Sequence, residues 1–92
     1  MSIRALIVDD EELARRRLSK LLGGEREIAI AGECANGPDA IRFIREQQPD
    51  LVFLDVQMPE VSGFDVLRAL PEKSWPAVIF VTAHDRHAIQ AF

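Results

Sequence analysis

Two stretches decide the fold: Ala5-Leu6-Ile7-Val8-Asp9-Asp10 and Leu51-Val52-Phe53-Leu54-Asp55. Each is an unbroken apolar run that ends on acid. A run without polar alternation marks a strand covered on both faces, as in a parallel sheet sandwiched by helices. If the two strands lie parallel and adjacent, Asp9, Asp10 and Asp55 meet at one edge of the sheet. Such a cluster repels itself: two unit charges ~4 Å apart cost ~4 kcal/mol at an effective dielectric of about 20. A divalent cation relieves that repulsion, and an all-oxygen ligand set suits Mg²⁺. The expectation is metal-assisted chemistry on phosphate.

The rest of the chain fits around these two runs. Ile3 to Val8 is the first predicted strand, and Glu11 to Leu22 the first helix, with Ala14, Leu18, Leu21 and Leu22 as its apolar stripe. Asp10, Glu11 and Glu12 favour the positive end of its dipole, and Gly23-Gly24 stops it. Residues 27 to 34 alternate, with Ile28, Ile30 and Gly32 out of phase with Ala29 and Ala31, which reads as an edge strand. Asn36 is the predicted N-cap of the next helix, with Pro38 in its first turn, an apolar face of Ala40, Phe43 and Ile44, and Pro49 as its stop. Leu51 to Leu54 is the third strand, Gln57 to Gly63 a loop, and Phe64 to Leu70 a short helix ended by Pro71. Ala77 to Val81 is a fourth apolar strand, and Asp85 to Phe92 begins a fourth helix. Strict strand–helix alternation implies an α/β doubly wound parallel sheet with right-handed crossovers. The functional crevice of such a sheet lies beyond the carboxyl ends of its strands. Asp9, Asp10, Asp55 and Thr82 all fall there.

Ninety-two residues make one domain, spanning 1–92. A net charge of −4 argues against a nucleic-acid or anionic-membrane surface on this chain. No apolar run is long enough to span a bilayer, and Met1-Ser2-Ile3-Arg4 does not open a signal peptide, so the expected location is the cytoplasm. Cys34 is the only cysteine, which excludes an internal disulfide and a thiolate metal site.

Val8-Asp9-Asp10-Glu11, then Leu54-Asp55-Val56-Gln57-Met58-Pro59, Gly63 eight residues after Asp55, and Val81-Thr82-Ala83 resemble, in order and spacing, the receiver domain of two-component response regulators. Glu12-Leu13-Ala14-Arg15 and Thr82-Ala83-His84-Asp85 also look like the LytTR-type members. The resemblance implies a flavodoxin-like receiver fold. It makes Asp55 the phosphoacceptor, with Asp10 binding Mg²⁺ directly, Asp9 mainly through water, and the backbone carbonyl of Gln57 completing the protein's share of the shell. Thr82 is then the phosphoryl contact that moves on activation. The implied partner is a histidine kinase, and the implied output, transcription, belongs to a full-length relative. A phosphoacceptor of this kind turns over no separate substrate and is not counted an enzyme.

The pattern departs from the family at its end. The fifth strand, its lysine and the fifth helix have no counterpart here, and neither Lys20 nor Lys73 takes that lysine's place. This looks like a receiver cut off as its fourth helix begins. On that reading the strand Ala77–Val81 becomes an open edge, a template for pairing with another chain, and self-association is expected.

Blander readings stand beside these. A short acidic pair often only caps a helix; Asp55 at the end of a second strand is what makes Asp9 and Asp10 a cluster. Arg15-Arg16-Arg17 reads as a solvated helix face rather than a docking patch. Cys34 reads as a small buried hydrophobe, Trp75 as a loop anchor, and Gly63 as a backbone conformation closed to other residues. His84 and His87 are given no phosphoryl-transfer role. Two other functions remain open: an interaction or dimerisation fragment that does not switch, and a small Mg²⁺-dependent phosphohydrolase. The second is disfavoured because Gln57 stands two residues after Asp55, where a general acid would be needed.

Overall fold

A computed structural model describes residues 2–81. Thr82, His84, His87 and the helix expected over 85–92 lie outside the described residues. The elements are β1 (Ile3–Val8), α1 (Glu12–Leu22), β2 (Ile28–Cys34), α2 (Gly37–Gln47), β3 (Leu51–Asp55), α3 (Gly63–Arg68) and β4 (Ala77–Val81), with one 3-10 turn at Glu72–Ser74. The sheet is parallel in the order β2-β1-β3-β4. The strand–helix alternation therefore winds as expected, and β2 is an edge.

Two cores explain the unbroken apolar runs. In β1 and β3, Leu6, Val8, Val52 and Leu54 face α2 and α3, where they pack with Ala40, Ile44, Val66 and Leu67. Ala5, Ile7 and Phe53 face the other way, against Leu18 and Leu22 of α1. Successive strand residues point to opposite faces, so a strand covered on both sides must be apolar throughout. Burying Leu6, Val8, Val52 and Leu54, each at most 1% exposed, contributes about 1.5–3 kcal/mol apiece.

Local chemistry sets the helix ends. Asn36 caps α2, its side chain accepting from the Asp39 N–H at 2.8 Å. Gln48 closes the same helix in the left-handed region (φ 46°), its N–H donating to the Ile44 carbonyl at 3.0 Å. Ser62 and Asp65 form a reciprocal capping box on α3. Arg4 joins the opposite end of the sheet: its N–H donates to the Asp50 carboxylate at 2.8 Å and its guanidinium to the Gln47 carbonyl at 2.8 Å. These contacts fasten the end of α2 to β1 and hold β3 in register.

Two sequence expectations fail here. Leu21 is not part of the packed face of α1; it is 74% exposed, while Ala14, Leu18 and Leu22 turn inward. α3 runs from Gly63 to Arg68 rather than from Phe64 to Leu70, because the Ser62 cap fixes its start one residue earlier.

Candidate acidic site at the carboxyl edge

β1 and β3 run parallel in register from Ala5–Leu51 to Val8–Leu54. The chain therefore leaves both strands side by side, with Asp9 following Val8 and Asp55 ending β3. Ligand atoms of Asp9, Asp10 and Asp55 lie within 4.8 Å of one another. Asp9 and Asp55 are buried and Asp10 is exposed. The three carboxylates picked from the two decisive stretches thus do converge. Asp9 is not a helix cap: Glu11 holds that position without a side-chain bond.

Each buried acid is held by backbone. One oxygen of Asp9 accepts from the Glu11 N–H at 2.9 Å, and one oxygen of Asp55 from the Gln57 N–H at 3.1 Å. Burial pushes the Asp55 carboxyl up to about 6; the Gln57 N–H opposes that rise, while the neighbouring charges of Asp9 and Asp10 add to it. Desolvation and like charge both disfavour the ionised form. A clustered all-oxygen set around a buried carboxylate is what a hard divalent cation satisfies, so these residues fit Mg²⁺.

The loop after β3 folds back onto the site. The Gly63 N–H donates to the Val56 carbonyl at 3.0 Å. A Cβ on Gly63 would stand 2.5 Å from the Asp55 carbonyl oxygen. The expectation for Gly63 is corrected: among the described residues no glycine has positive φ, so this position demands space rather than an unusual conformation. Glu60, not a glycine, takes the left-handed turn in this loop (φ 67°). Gln57 is exposed beside the site. Val81 pairs with Asp55 in register; Thr82, the next residue in sequence, is outside the described residues.

The arginine run divides. Arg16 pairs with Glu12 at 2.9 Å on the solvent face, as a solvated run would. Arg15 does not: its guanidinium donates to the Asp9 carbonyl at 2.8 Å and lies 3.4 Å from the Glu33 carboxylate, with the side chain only 18% exposed. The charge run concealed this. The signal that would have found it is helical spacing, since Arg15 lies three residues before Leu18 on the inward side of α1. Cys34 is buried next to the site, its backbone carbonyl accepting from the Asp9 N–H at 3.1 Å. Burial above all pushes its thiol up to about 11, which fits an inert core residue. Trp75 anchors its loop through Nε1 to the Leu70 carbonyl at 3.0 Å.

Residues 5–92 match the model of the response regulator receiver domain. The chain belongs to that family. It is 48% identical over 90 residues to the transcriptional regulatory protein BtsR of Salmonella typhi and 43% identical to BtsR of Escherichia coli strain K12; each match covers 98% of this chain and 38% of the relative. The chain thus spans less than half the length of those relatives. Among solved structures, this receiver domain superposes on the signal receiver domain of the putative regulator NarL of Mycobacterium tuberculosis, with a TM-score of 0.81, 30% identity and coverage of 96% of this chain and 72% of that one. It also superposes on the response regulator domain of Thermotoga maritima CheB, with a TM-score of 0.81, 26% identity and coverage of 98% and 72%. The receiver-domain resemblance and the flavodoxin-like fold are therefore both borne out. Receiver domains are signalling modules of two-component systems, and among the described residues no helix is long and apolar enough to cross a membrane.

Proposed function

We propose that Asp55 is the phosphoacceptor of this receiver domain and that a histidine kinase is the donor. The convergence of Asp9, Asp10 and Asp55 is the observation that carries the reading. Asp9, Asp10, Asp55 and the backbone carbonyl of Gln57 would hold Mg²⁺. When bound, that ion supplies charge neutralisation for the phosphoryl oxygens. One oxygen of the Asp55 carboxylate attacks phosphorus in line; the O–P bond forms as the donor's P–N bond breaks, and the leaving imidazole takes a proton from solvent. The Gln57 N–H on the other oxygen orients the carboxylate for that attack. Thr82 follows the strand residue paired with Asp55 and is assigned the contact to the phosphoryl group on the family pattern. A Borrelia burgdorferi CheY solved with CheX, BeF₃ and Mg²⁺ shares 27% identity and a TM-score of 0.79 with this chain, which supports the same ion here.

We likewise propose the setting, output and assembly of the protein. The protein acts in the cytoplasm, and the output of the full-length protein is transcription, as the names of the BtsR relatives support. The LytTR-type subclass rests on Glu12-Leu13-Ala14-Arg15 and Thr82-Ala83-His84-Asp85 alone. The chain itself binds no nucleic acid. Among the described residues β4 pairs with β3 only, which supports self-association through the other edge of β4.

The test is intact mass after incubation with Mg²⁺ and acetyl phosphate, for the wild type and Asp55→Asn. One added phosphate that disappears in the variant is the expected result. No adduct with Mg²⁺ binding retained would point instead to a non-switching interaction fragment. Repeated turnover of a phosphomonoester would point to a phosphohydrolase.

A further inference from the structure

We infer that Arg15 is a positioning residue for the metal-binding loop: its guanidinium, tied to Glu33, clamps the peptide that joins Asp9 to Asp10. This rests on the metal-binding reading of the acidic cluster. The β1–α1 turn is held at three points around that peptide. The Asp9 N–H donates to the Cys34 carbonyl at 3.1 Å. The Asp9 carboxylate accepts from the Glu11 N–H at 2.9 Å. The Asp9 carbonyl accepts from Arg15 at 2.8 Å. The first two fix Asp9 itself. Only the third holds the carbonyl of the Asp9–Asp10 peptide, and the plane of that peptide sets where Asp10 begins. Asp10 is the exposed member of the cluster, and among the described residues no hydrogen bond is made by its side chain to any cation or backbone N–H. Its place within 4.8 Å of the other two acids therefore depends on the backbone that carries it.

Glu33 makes the clamp two-sided. It sits on β2 beside Cys34, and its carboxylate lies 3.4 Å from Nε of Arg15. The planar guanidinium addresses the carbonyl and the carboxylate at once, a geometry an ammonium on a flexible stem does not reproduce. Groups that orient metal ligands without touching the metal commonly change metal affinity about 10–100-fold when removed.

Charge and positioning make opposite predictions, which isolates the claim. A cation beside three carboxylates opposes a second cation, so on charge alone Arg15→Gln would bind Mg²⁺ more tightly and Arg15→Lys would match the wild type. Positioning predicts weaker binding in both, with Arg15→Gln the weaker. The experiment is Mg²⁺ titration of the 92-residue chain by calorimetry, for the wild type, Arg15→Gln and Arg15→Lys, with thermal melts to establish that each variant is folded. The expected result is a rise in Kd of about tenfold for Arg15→Gln and a smaller rise for Arg15→Lys. Unchanged or tighter binding by a folded Arg15→Gln overturns the inference. Should that variant not fold, Arg15→Lys decides, and wild-type affinity in it overturns the inference equally. Failure of the wild type to bind Mg²⁺ is a different outcome: it removes the metal site on which the inference rests.

Discussion

Asp55 closes β3 at 3% exposure, with two more carboxylates in ligand range of its own. Burial first, and then Asp9 and Asp10, raise its carboxyl from 3.8 to about 6. The folded state therefore holds the proton more tightly than the unfolded chain. The stability linked to that proton is fully present below pH ~4 and is lost as pH rises through about 6. Without Mg²⁺, Asp55→Asn is accordingly expected to be more stable than the wild type by about 1–3 kcal/mol above pH 6, with the advantage gone below pH 4. Urea melts at pH 4 and 7.5 measure this; a variant equally stable or weaker at pH 7.5 would refute the strained-acid account. Saturating Mg²⁺ should narrow the gap by stabilising the wild type alone.

At the scale of elements, the site is built by short structures with good ends. α3 has only six residues, too few to persist alone. It stands because Ser62 accepts from the Asp65 N–H at 3.1 Å while the Asp65 carboxylate accepts from the Ser62 N–H at 3.0 Å. The Ser62 N–H first, and then the Ser62 side chain, hold the Asp65 carboxyl below the usual range. The first residue of the helix, Gly63, is the one pressed against the Asp55 carbonyl. Ser62→Ala should therefore lower unfolding free energy by ~1 kcal/mol, seen as a lower urea midpoint at unchanged slope. It should also loosen the loop behind the acceptor. α1 is bound less firmly: none of its residues is fully buried, and its polar tie to the sheet runs through Arg15.

At the scale of the molecule, coverage is uneven. β1 is enclosed on both faces and both edges, whereas β4 leaves Ile79 48% and Phe80 37% exposed, and Phe80 packs only obliquely on Phe64, with ring centres 5.0 Å apart. Among the described residues β4 is paired on one edge only, and an apolar strand so placed recruits a second strand. The 92-residue chain is expected to form dimers or larger species at tens of micromolar. Size-exclusion chromatography with light scattering reads this directly, and a monomer across that range would count against pairing through β4. Replacing the exposed Ile79 with Lys, a charge on β4, should shift the equilibrium toward monomer.

The two runs that end in Asp9-Asp10 and Asp55 determined most of what matters. Their lack of alternation required a doubly covered parallel sheet, and parallel neighbours require their carboxyl ends to coincide, so the acidic cluster was legible before any coordinate. Asn36 and Gly23-Gly24 likewise marked helix ends through local bonding alone. Tertiary structure decided what depends on neighbours distant in sequence. Whether Leu21 is covered depends on what packs across α1, not on its place in a stripe. Gly63 is needed because the Asp55 carbonyl lies where its Cβ would stand, a clash the local sequence does not record. Arg15 leaves the solvated run because the carbonyl of Asp9 and the carboxylate of Glu33 come together only once β1 and β2 pair; charge and periodicity describe one element at a time, and a polar tie needs two.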